Sequence, residues 1–202
     1  MGLLSTSVSV TRYRVEGKLD DPVMETVAGA LSAHIIDDID NEPTEKVVGW
    51  TSFETPFIPN FDNFAIGTHF VFSLRMDKKT IPAKVLKKYF ELEMTRLLAE
   101  SGREFMARSE KSQIRERVME RLYLKIPATP NVYDIVWNYE SSDLWFFTNL
   151  KAANEELETL FSKTFKMTLI RLFPFTMADL TCGLSESSRD SLSRLSPSRF
   201  TG

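Results

Sequence analysis

Residues 69–98 read HFVFSLRMDKKTIPAKVLKKYFELEMTRLL, and the hydrophobic period changes part-way along the stretch. Up to Met76 the period is two: Phe70, Phe72, Leu74 and Met76 point one way, while His69, Val71, Ser73 and Arg75 point the other, as in a strand. From Thr80 the period is 3.6, with Val85, Leu86, Tyr89, Phe90, Leu97 and Leu98 on one wide apolar face. A strand running directly into a long helix calls for a mixed architecture. Ser101-Gly102-Arg103-Glu104 has capping-box spacing, which predicts a break and a restart. A second helix follows over about Glu110–Leu124, with Ile114, Val118 and Leu122 at four-residue steps.

Upstream, the β-branched run Ser7–Val15 reads as a strand. Asp20-Asp21-Pro22 opens a helix that carries Val23, Val27, Ala30, Leu31 and His34 to about Ile36. The acidic loop 37–43 ends it. Lys46–Phe53 is a second strand, and 55–67, with two prolines, two asparagines and a glycine, is a long loop. Downstream, Val132–Tyr139 and Leu144–Thr148 read as strands around the polar turn 140–143. Asn149 caps a helix bearing Leu157, Leu160 and Phe161, and Met167–Phe173 is a last strand. The order predicts an α+β fold of two sheet units, β-α-β-β and β-β-α-β, with an inserted pair of long charged helices. One domain is expected over 1–180, its helical excursion at about 80–126. Residues 181–202 hold seven serines and no periodicity, and predict a disordered tail.

The chain has 202 residues and a net charge of −3, which on its face argues against a nucleic-acid partner. The charge is segregated, however. Residues 1–75 carry 5 basic and 11 acidic side chains, 76–126 carry 13 and 8, and 127–202 carry 7 and 9. Apolar runs such as 144–147 are far short of the ~20 residues of a membrane helix. Met1-Gly2-Leu3-Leu4-Ser5 has no basic region before an apolar run, so no secretory signal is expected. A single cysteine, Cys182, fits a reducing compartment.

Known chemical signatures are few. Two histidines, His34 and His69, make a poor zinc set without cysteines, and each reads as structural. Neither a phosphate-binding glycine loop nor a nucleophile elbow occurs. Asp38, Asp40 and Glu42 imitate the first ligands of a calcium loop, but Pro43 stands where such a loop needs glycine. That cluster reads as a solvated loop or, alternatively, as a carboxylate set for a metal-dependent nuclease built on Asp37, Asp38 and Asp40. The positive signal is Lys78, Lys79, Lys84, Lys87 and Lys88, five ammonium groups within eleven residues, followed by Lys111 and Arg115 on the second helix. Such a cluster can neutralise successive phosphates and release counterions, independently of base sequence. It can equally be a solvated face paired with Glu91, Glu93 and Glu100, or a surface for an acidic protein partner.

Gly49-Trp50, the strand ending in Leu74-Arg75, and then Lys79, Ile81-Pro82, Val85-Leu86 and Lys87 resemble the bacterial RdgC family of recombination-associated proteins. The likeness extends in order and spacing over roughly 5–180, through the charged helices, the strand ending in Trp137 and the region up to Asp179. It implies a short member of that family, lacking the C-terminal third. It also implies a non-enzymatic nucleoid protein of the cytoplasm, a homodimer that holds double-stranded DNA and restrains RecA; single-stranded DNA stands as an alternative partner. By position Arg75, Lys79 and Lys87 match family basic residues, whereas Lys78, Lys84, Lys88, Lys111 and Arg115 rest on the charge argument. No catalytic residue, metal or cofactor is expected.

Overall fold

The computed structural model describes residues 2–195. The fold is mixed α+β. Its elements run β1 (Thr11–Glu16), α1 (Val23–Ala33), β2 (Lys46–Thr51), β3 (Ala65–Ile66), β4 (His69–Lys78), α2 (Ala83–Ser101), α3 (Arg108–Tyr123), β5 (Thr129–Asn138), β6 (Asp143–Phe146), α4 (Lys151–Phe165), β7 (Thr168–Arg171), α5 (Pro174–Thr181) and α6 (Glu186–Ser193). The strands lie in the order β2-β4-β5-β6-β1-β7, with β3 on β4. The first strand therefore does not pair within its own half of the sequence: β1 runs antiparallel between β6 and β7, Tyr13 facing Leu144 on one side and Arg171 on the other. The described residues fall into two compact units. The first holds 2–30, 62–72 and 133–195; the second holds 31–61 and 73–132.

In the first unit, alternation along β1, β5 and β6 turns Tyr13, Val15, Ile135, Trp137, Leu144 and Phe146 into the core. Helix α4 covers them. Its Phe161 and Phe165 rings each sit 5.2 Å from Trp137, edge-on, a geometry that aromatic quadrupoles favour. A polar network crosses the same layer. The Tyr13 hydroxyl lies 2.6 Å from Asn154 Oδ1 and 3.0 Å from Glu158 Oε1, and Arg171 donates to Glu158 at 2.7 Å. The first turn of α4 is not capped by Asn149. Thr148 Oγ1 accepts from the Leu150 N–H, and the Asn154 amide donates back to the Leu150 carbonyl.

In the second unit, β2 lies on β4 with Gly49 opposite Arg75 and Trp50 opposite Leu74. The chain leaving α1 runs beside β2: Trp50 donates to the His34 carbonyl at 2.9 Å and Ile36 donates to the Trp50 carbonyl at 3.0 Å. Glycine at 49 permits this approach, because a Cβ there would overlap the Ile36 Cα and come 2.5 Å from its backbone nitrogen. Helices α2 and α3 form a hairpin around Ile114, Val118 and Leu122, against which Val85, Leu86, Phe90, Met94 and Leu97 pack. The break falls where expected, though Gly102 makes it. Its φ of 62° ends α2 in the left-handed region, and α3 restarts at Arg108 with Glu110 accepting from the Ala107 N–H at 2.8 Å.

The serine-rich segment departs from expectation. Residues 186–193 form α6 rather than disordered chain, because Ser185 caps it by accepting from the Ser188 N–H, and Arg189 pairs with Asp179 at 2.6 Å. The rest of the expected tail, 196–202, lies outside the described residues.

Candidate nucleic-acid interface

Of the eight basic residues singled out from sequence, two are removed by the fold. Lys79 is 1% exposed, and its Nζ donates to three backbone carbonyls, those of Asp40 at 3.0 Å, Glu42 at 2.8 Å and Tyr123 at 2.8 Å. It ties the acidic loop to the end of α3 and cannot reach a phosphate. Arg75 faces Asp77 along the same side of β4 and forks onto it, Nε to Oδ1 at 2.8 Å and a terminal nitrogen to Oδ2, while Phe57 stacks 5.2 Å from the guanidinium carbon. Asp77 is 2% exposed, so this pair is an internal charge balance. Alternation held the clue: Arg75 and Asp77 are successive residues on one face of β4, and Lys79 continues the spacing just past the strand's end, an arrangement suited to a buried polar seam.

The other six lie at the surface. Lys78 and Lys87 each have an exposed carboxylate nearby, Glu45 at 3.8 Å and Glu91 at 3.7 Å. Pairs so exposed contribute about 0–1 kcal/mol and yield readily to a phosphate. Lys84, Lys88, Lys111 and Arg115 are exposed and, among the described residues, have no ion pair; Lys88 sits 5.5 Å from the Tyr89 ring centroid. Sequence reasoning missed Arg108, also exposed and without an ion pair among the described residues. Arg108, Lys111 and Arg115 stand at i, i+3 and i+7, so they line one flank of α3.

Internal neutralisation occupies the facing flanks. Arg96 donates to Glu93 at 2.6 Å and to Glu100 at 2.8 Å, and Arg121 reaches Glu93 across the hairpin at 3.4 Å. The hydrogen bond from Arg96, more than its charge, holds the Glu93 carboxyl below its usual range. The Ala107 N–H, then Arg103, does the same for Glu110. The glutamates expected to cancel the lysines are thus mostly committed to arginines. Helix α2 has 19 residues, ~28 Å at 1.5 Å each, which matches about eight base-pair steps of 3.4 Å. Since the helices are antiparallel, Lys84 and Lys88 lie at one end of that length and Arg108, Lys111 and Arg115 toward the other.

Backbone N–H groups engage two carboxylates of the acidic loop. Asp38 Oδ1 accepts from the Asp40 N–H at 2.9 Å, and Asp40 Oδ1 accepts from the Ala128 N–H at 2.8 Å. Among the described residues, no three His, Cys, Asp or Glu side chains come together to hold a metal ion. Nor is any helix among them long and apolar enough to cross a membrane. No protein-family model matches the chain, and no curated protein matches it.

Proposed function

We propose that this chain is a sequence-independent DNA-binding protein of RdgC type, which grips the duplex backbone with the α2–α3 hairpin. The carrying observation is the set Lys84, Lys88, Lys111 and Arg115, exposed and left without ion pairs among the described residues while neighbouring cations are neutralised. Lys78, Lys87 and Arg108 extend the surface. None of these side chains is held by a rigid fork, so they act as positional charges on phosphates rather than as readers of base edges. In this reading the protein acts by occupancy, not catalysis: as a nucleoid-associated homodimer in the cytoplasm, it covers duplex DNA and limits RecA.

The test replaces Lys84, Lys88, Lys111 and Arg115 with alanine and measures duplex affinity against salt. Each cation withdrawn from a phosphate should lower the slope of log K against log salt by about one unit, equally for unrelated duplex sequences. An unchanged slope removes the hairpin from the interface.

A further inference from the structure

The first unit has a second surface of different chemistry. On the sheet face away from α4, Val136 and Asn138 of β5, Asp143 and Trp145 of β6, and Arg12 and Arg14 of β1 alternate with the core residues. Trp145 is 46% exposed, whereas Trp50 and Trp137 are 0% and 2% exposed. Arg12, its partner across β1, places its guanidinium 6.0 Å from the ring centroid. On the opposite, β5 side of the ring lies a recess of ≈ 140 Å³ lined by His69, Val136, Asn138, Ser141, Asp143 and Trp145.

The polar groups of the recess are unequally employed. The Asn138 amide nitrogen lies 3.2 Å from His69 Nε2, and its oxygen accepts the N–H groups of Glu140 and Ser141, so amide and imidazole are fixed. Arg14, opposite Asp143 in register, instead donates to the Ser141 carbonyl at 2.7 Å. The Asp143 carboxylate has no hydrogen-bond or ion-pair partner among the described residues. The recess thus offers a flat aromatic wall and an acceptor at its end.

We propose that this recess receives one unpaired nucleobase, stacked on Trp145 with an amino-bearing edge against Asp143. A cavity of about 150 Å³ takes a benzene-sized ring. Base–aromatic stacking suits every base, while a carboxylate accepts from the cytosine N4 amino group, which thymine lacks; the thymine N3–H stands between two carbonyl oxygens that repel a carboxylate. An apolar peptide side chain is the poorer occupant, because it would desolvate Asp143 without supplying a partner. The inference rests on the DNA-binding reading and adds to it a single-strand site remote in chemistry from the phosphate-binding cations.

Because the other two tryptophans are buried, quenching of the full chain's tryptophan fluorescence by a dissolved ligand reports Trp145. The probes are dC10, dT10, a ten-base-pair duplex and cytidine, a nucleoside without phosphate. Quenching by dC10 and cytidine is expected, with weaker quenching by dT10 and the duplex. Asp143→Ala, which keeps the reporter, should weaken dC10 about tenfold and bring it to the level of dT10. Trp145→Ala should lower dC10 affinity in an anisotropy assay by about tenfold, with thermal unfolding confirming an intact fold. Absent quenching by dC10 and cytidine, or dC10 binding indifferent to both variants, overturns the proposal. Cytidine quenching that persists in the four-alanine hairpin variant keeps a failure of duplex binding separate from a failure here.

Discussion

At the scale of single residues, a lysine's neighbours decide what its charge does. Lys79 and Lys84 are indistinguishable by composition, yet one is buried on three carbonyls and the other meets solvent. Replacing Lys79 with methionine retains most of the stem and strips three acceptors of their donor. Only the bond to the Tyr123 carbonyl is buried, those to Asp40 and Glu42 being part-buried, so at about 1–3 kcal/mol for a buried acceptor left unpaired the loss should reach at least ~1 kcal/mol. It would be read as a lower denaturant midpoint at unchanged slope. Lys84→Ala should leave that midpoint within about 0.5 kcal/mol, as for an ordinary surface change. Equal costs for the two would contradict the division drawn between them.

At the scale of elements, close approach and helix pairing set the geometry. The Gly49-Trp50 pair has a physical basis, since only glycine lets the Ile35–Ile36 backbone run against β2. Gly49→Ala should destabilise by about 1–3 kcal/mol or more, as overpacking against backbone does. Amide exchange would show it first at Ile36 and Trp50, whose bonds hold the two segments together. Strand β4 and helices α2 and α3 were legible because their periods are clean and Gly102 punctuates them. The pairing of β1 with β6 and β7 was not, because antiparallel partners more than a hundred residues apart leave no local mark. Nor was α6, whose eight residues form around a serine cap inside a composition that reads as disorder.

At the scale of the whole molecule, stability and charge follow from groups gathered across the sequence. Burial, reinforced by the Glu158 carboxylate, pushes the Tyr13 hydroxyl well above its ordinary value. Folding then favours the protonated form, so this stabilisation is complete below the free tyrosine pKa of about 10 and is lost as pH climbs from there toward the folded value. Chemical denaturation between about pH 9 and 12 should show stability falling with pH, and Tyr13→Phe should flatten that fall. A slope unchanged in the variant would mean that Tyr13 does not carry it. The net charge of −3 likewise divides by region, and the basic excess of 76–126 survives folding because burying Lys79 and Asp77 removes one charge of each sign. By itself the sequence determined the α+β class, the positions of most elements and the concentration of positive charge on one helical pair, since these depend on local period and composition. Only the tertiary structure decided which cations stay free, that the acidic loop is held by Lys79, and that Trp145, Asn138 and Asp143 meet around a recess. The reason is physical: burial and ion pairing are set by neighbours in space, and those neighbours come from distant parts of the chain.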